Sequence, residues 1–166
     1  MMEPFLSELI DSYRAYFDIE MVDDGSLRCI ASYHSRTEGY VLTKKVGLWS
    51  VKDDEYVMFH VSEDVSEESL NGMISKSLTH SKDLIVPDKD HRSSMLTSII
   101  VCKRLEPKCV KTIKSYKYHR NFRFMLNGWM DHRLVLLSLN DGVSISDRLG
   151  KGPLENALRV LEKVKG

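Results

Sequence analysis

Along residues 116–126 apolar and polar positions alternate. Tyr116, Tyr118, Phe122, Phe124 and Leu126 share one parity, broken only by Arg120, and Lys117, His119, Asn121 and Arg123 share the other. A period of two predicts a strand with rings on one face and hydrogen-bond donors on the other. Asn127-Gly128 follows, a pair that tolerates the positive φ of a tight hairpin turn. From Arg133 to Leu139 the apolar residues are consecutive, which predicts a returning strand covered on both faces. The expected hairpin turns at 127–128, so residues whose numbers sum to about 255 should face one another. Its rings should point inward and its cations outward.

The same patterning predicts the remaining elements. Phe5, Leu6, Leu9, Ile10, Tyr13 and Phe17 recur at helical steps, so a first helix is expected from Pro4 to Phe17. Strands are expected at Asp18–Val22 and Leu27–His34 around Asp24-Gly25. Another is expected from Tyr40 to Leu48 after a turn at Gly39, and a fourth at Tyr56–Val61 after a turn at 52–54. These four read as an antiparallel meander. Leu70, Met73, Ile74 and Leu78 form the stripe of a helix over about 67–79, with Ser66 as its N-cap. Residues 81–94 read as a loop, and Met95–Leu105, apolar at four consecutive positions, as a central strand. A short helix over about 107–114, an edge strand at Val143–Ser146 and a last helix from Pro153 to Val164 complete the chain.

Segregated strand runs with packing helices indicate a single α+β domain with a mostly antiparallel, mixed sheet. The stretch from Met95 to Leu126 reads as one parallel strand–helix–strand crossover. The chain has 166 residues, enough for a core without disulfides. Cys29, Cys102 and Cys109 form no C-x-x-C and read as buried apolar residues. No apolar run is long enough to span a bilayer, so no membrane partner is expected and the cytoplasm is the default compartment.

Charge changes this picture. Residues 1–102 hold 18 acidic and 10 basic side chains, and residues 103–166 hold 6 and 14, so halves of −8 and +8 cancel to zero. Seven acids and no Lys or Arg lie between Asp53 and Glu68; eight bases and one acid lie between Lys103 and Arg123. Opposed fields favour self-association, as in a homodimer, or an anionic partner for the basic side. The alternative is that the two segments are neighbours in the fold and neutralise each other.

Candidate chemistry is sparse. Lys111, Lys114, Lys117, His119, Arg120 and Arg123, interleaved with rings, are the ingredients of an anion- or nucleic-acid-binding face. Stacking needs rings exposed beside the charges, and alternation puts them on opposite faces. Glu106-Pro107-Lys108, with Asp88 and Asp90 upstream, is the nearest thing to a nuclease triplet and is better explained as helix initiation. The six histidines show no metal-binding spacing, and in the expected register His119 and His132 lie apart. Gly150-Lys151-Gly152 before the last helix is not a phosphate loop motif. No metal site or cofactor is expected. The leading expectation is a non-catalytic binding or regulatory domain that associates through the acidic 53–68 and basic 103–123 segments. Nucleic-acid binding through 111–123 is the alternative, followed by an enzyme acting on a phosphorylated substrate.

Overall fold

Among the described residues, a seven-stranded mixed sheet carries two helices on each face. The computed structural model describes the backbone of residues 1–40 and 48–166, and side chains outside 37–51. The elements are α1 (Met2–Asp11), β1 (Asp18–Asp24), β2 (Leu27–Tyr40), β3 (Leu48–Val65), α2 (Glu67–Leu84), β4 (His91–Leu105), α3 (Lys108–Lys114), β5 (Tyr118–Asn121), β6 (Trp129–Ser138), β7 (Val143–Ser146) and α4 (Lys151–Lys165). The strand order is β1-β2-β3-β4-β6-β5, with β7 also on β6. Pairs β3–β4 and β4–β6 are parallel and the other four antiparallel.

The long apolar runs occupy the middle of this sheet, as expected for strands covered on both faces. One face packs Val57, Phe59, Ile99, Val101, Val135 and Leu137 against α1 and α4. The other packs Ile100, Cys102, Leu134 and Leu136 against α2 and α3. Helix α2 starts as anticipated. Ser66 Oγ accepts from the Ser69 amide, and Ser69 Oγ accepts from the Ser66 amide. The three cysteines are buried and free. No helix among the described residues is long and apolar enough to cross a membrane.

Several boundaries differ from expectation. Helix α1 ends at Asp11, and Tyr13 and Phe17 reach the same core from a run of turns. Gly39 and residues 52–54 lie inside β2 and β3, so the turns expected there do not form. Of the strand expected from Tyr40 to Leu48, residues 41–47 lie outside the described residues. Helix α2 runs on to Leu84 and β4 begins at His91, which shortens the expected loop. Strand β4 pairs in parallel with β3 and β6, not with β5, which lies outside β6 and antiparallel to it. The apolar strand takes the interior and the polar one the edge.

A polar seam crosses the α2 face of the sheet diagonally. In the β3–β4 register Met58 faces Ser98, two residues before His60; in the β4–β6 register Leu96 faces His132, two residues before Ser98. His60, Ser98 and His132 therefore step along three neighbouring strands. Ser77 of α2 joins them: Ser26–His60 is 2.9 Å, His60–Ser77 2.7 Å, Ser77–Ser98 2.7 Å, Ser98–His132 2.8 Å and His132–Tyr116 2.7 Å. With both rings neutral, four hydroxyls and two ring N–H groups supply one donor for each of the five links, and one proton remains at an end. The donors then all point the same way along the chain. With both rings charged, all four ring nitrogens donate and one serine proton has no acceptor. Burial pushes His60 down to about 4 and His132 to about 3, which keeps both neutral.

Candidate basic docking face

The acidic run is answered within the fold. Strands β3 and β4 run parallel in register, so Asp64 meets Arg104 at 2.5 Å and Glu63 meets Lys103 at 2.7 Å. Asp53 pairs with Arg92, Glu55 with Arg133 at 2.9 Å, and Asp54 with His34 at 2.8 Å. Arg92 and Arg104 hold Asp53 and Asp64 below the usual carboxylate range. Glu67 accepts from Thr112 at 2.9 Å. The carboxylates expected to recruit a basic segment from elsewhere are largely engaged already.

Part of the basic run is left over. Lys103 and Arg104 are used against β3, but Lys111, Lys114, Lys117, Arg120 and Arg123 are exposed and form no ion pair among the described residues. Lys111 and Lys114 close α3, where a helix C-terminus favours cations without any ligand. His119 differs from the rest. It faces Asp131 across the β5–β6 ladder, its Nδ1 2.6 Å from the carboxylate, and that contact raises its pKa. Its ring is therefore engaged locally, by Asp131 and Asn121. Lys117, Arg120 and Arg123 are the cations of the β5 edge without an ion pair among the described residues.

The expected hairpin is not what forms beside them. Tyr118 faces His132, so paired numbers sum to 250, and β5 stops at Asn121. His119 and His132 occupy neighbouring rungs, yet His119 is exposed and His132 is buried on the α2 face. Beyond β5 the chain makes a left-handed turn, with Arg123, Phe124 and Met125 at φ of 46°, 52° and 71°. Phe124 is 99% exposed, Met125 58% and Leu126 73%. The rings do not all point inward. Tyr116, Tyr118 and Phe122 are half-buried, and Phe124, next to Arg123, stands bare.

The cause lies at the base of the turn. A Cβ on Gly128, whose φ is +80°, would sit 2.2 Å from the Arg92 carbonyl oxygen, so only glycine permits this close approach to β4. His91 Nδ1–H donates to the Asn127 carbonyl at 2.6 Å, and Asn127 Nδ2 donates to the Pro87 carbonyl at 2.7 Å. Phe122 N–H donates to the Gly128 carbonyl at 2.9 Å. These bonds draw the chain across to the start of β4 and push 123–126 outward. Arg120 sitting on the ring parity was the sequence signal that the alternation would not continue.

A cleft of about 220 Å³ opens between this segment and α2. Leu78, Ile85, Tyr118, Phe122 and Met130 make it apolar, and Lys82 and Arg120 also line it. The Arg120 guanidinium lies 5.5 Å from the centre of the Phe122 ring, an arrangement that holds a cation over apolar surface. This cleft was not foreseen, because its walls come from three distant stretches of chain.

The arrangement can hold a ligand that is anionic at the rim and apolar at the centre. Chemistry at the seam is a different matter. Ser98 and His132 have the contact of a nucleophile and its base, but neither they nor His60 and Ser77 have any accessible surface. Among the described residues no group of three or more His, Cys, Asp or Glu side chains is placed to hold a metal ion. Glu106 accepts from the Glu67 amide at 3.1 Å, and Lys108 lies 3.8 Å from it, on the first turn of α3.

No curated protein and no solved structure matches the chain. A family model described as "Domain of unknown function (DUF8052)" matches residues 1–156. With nearly its whole length inside that match, the chain belongs to the DUF8052 family.

Proposed function

We propose that this chain is a non-catalytic binding domain whose docking face is the β5 edge, the turn 123–126 and the adjoining cleft, and that it takes an acidic protein surface. The observation that carries the reading is the bare Phe124-Met125-Leu126 crest, held in a left-handed turn beside Arg123, on a β5 edge whose Lys117 and Arg120 form no ion pair among the described residues. Three consecutive non-glycine residues at positive φ cost about 1–2 kcal/mol each. Strain of this kind concentrates where a protein makes contacts. Three consecutive exposed apolar side chains mark the same thing.

The exposed Phe124 ring also supports a second reading, single-stranded nucleic acid, because a bare ring follows the exposed Arg123 directly. Fluorescence anisotropy of labelled poly-glutamate and of an oligothymidine separates the two. Poly-glutamate should bind at low salt, weaken as salt rises, and be lost in Lys117→Ala/Arg120→Ala/Arg123→Ala. Binding of the oligothymidine alone selects the nucleic-acid reading. Binding of neither polyanion at low salt removes both.

A further inference from the structure

We infer that the acidic surface taken by the β5 edge is the β1 edge of a second copy of this chain, docked head to tail. The inference rests on the docking face proposed above. The sheet order puts β1 at one end and β5 at the other, and β1 pairs only with β2, as β5 pairs only with β6, among the described strands. Both edges therefore present unpaired backbone N–H and C=O groups, the usual template for another chain.

The two edges carry opposite charge. Strand β1 reads Asp-Ile-Glu-Met-Val-Asp-Asp, without a base, and Asp18, Glu20 and Asp23 are exposed. Asp24 is engaged by Lys76 at 2.8 Å and His80 at 2.9 Å; the other three acids form no ion pair among the described residues. At the far end Lys117, Arg120 and Arg123 likewise form no ion pair among the described residues. Like charge along each edge disfavours β1 on β1 and β5 on β5, and opposite charge favours β1 on β5. Apolar surface matches too: Met21, 65% exposed between Glu20 and Asp23, complements the Phe124-Met125-Leu126 crest. Such a contact joins two different patches. Each added copy leaves one free edge of each kind, so association does not stop at two.

Sedimentation equilibrium of the full chain tests this. Weight-average mass should rise with concentration beyond twice 19.1 kDa, and association should weaken about tenfold or more on raising salt from about 50 to 500 mM. Asp18→Lys/Glu20→Lys/Asp23→Lys and Lys117→Glu/Arg120→Glu/Arg123→Glu should each be monomeric alone and associate when mixed. A wild-type mass of 19.1 kDa at all concentrations, a plateau at a closed dimer, or folded variants that stay monomeric when mixed would each overturn the inference. If either triple variant does not fold by circular dichroism, Asp18→Asn/Glu20→Gln and Lys117→Gln/Arg120→Gln replace them. Each should weaken association several-fold, and unchanged association overturns the inference. Poly-glutamate binding that persists while self-association fails leaves the docking face standing and removes only the second copy as its occupant.

Discussion

Acid should destabilise this protein through two buried histidines. His60 and His132 have an ordinary value of 6.5 and are pushed down to about 4 and about 3 by burial. The unfolded chain therefore binds two protons that the folded chain refuses. Each histidine's contribution is fully present above pH 6.5 and is lost as pH falls toward the folded values. The slope is about 1.4 kcal/mol per pH unit for each ring, or about 2.7 for the pair. From pH 7 to pH 4.5 this amounts to at most about 5 kcal/mol, comparable with the whole stability of a small domain. Asp24, Asp53, Asp64, Asp88 and Asp141 are held below 3.8, so they act only at lower pH. His119 works in the opposite sense, since its raised value favours the fold below 6.5, and being exposed it contributes little. Urea denaturation at pH 7, 6, 5 and 4.5 of wild type and of His60→Gln/His132→Gln measures the effect. The double variant should be less stable at pH 7 and nearly flat with pH, and His119, common to both proteins, cancels in the difference. Equal slopes for the two proteins would refute the claim that the buried rings are neutral.

Two further substitutions probe the seam and the crest. Ser98→Ala removes the link between Ser77 and His132 and should cost about 1–3 kcal/mol in urea denaturation, since it leaves buried polar groups without a partner. Phe124→Gly relieves a left-handed residue whose side chain touches little, so stability should hold or rise by up to about 1 kcal/mol, while poly-glutamate binding falls several-fold in the anisotropy assay.

Much of the architecture was legible because it follows from one-dimensional patterns. The apolar run Leu134–Leu137 placed β6 in the interior, and Ser66 marked the start of α2. Val143–Ser146 was found to the residue. The candidate site was legible only in its cations. Alternation through 116–126 implied covered rings, but the local pattern carries no record of Gly128 approaching Arg92 or of His91 holding Asn127. Those contacts are long-range, and they ended the strand at Asn121. The seam was hidden for the same reason: His60, Ser98 and His132 meet only through a register that no spacing within one strand reports. The sign of the charged segments was plain, but which acids would be consumed depended on β3 lying parallel to β4.

The footing of the 123–126 turn has an evolutionary corollary. Its base is clamped to the ends of β4 and β5 by Gly128, Asn127 and His91, whereas Arg123, Phe124 and Met125 touch solvent. On the docking reading proposed above, change at those three positions redirects recognition without reaching the core, and change at Gly128 cannot. Relatives that keep the glycine and vary the crest would be expected to share a scaffold and differ in what they bind.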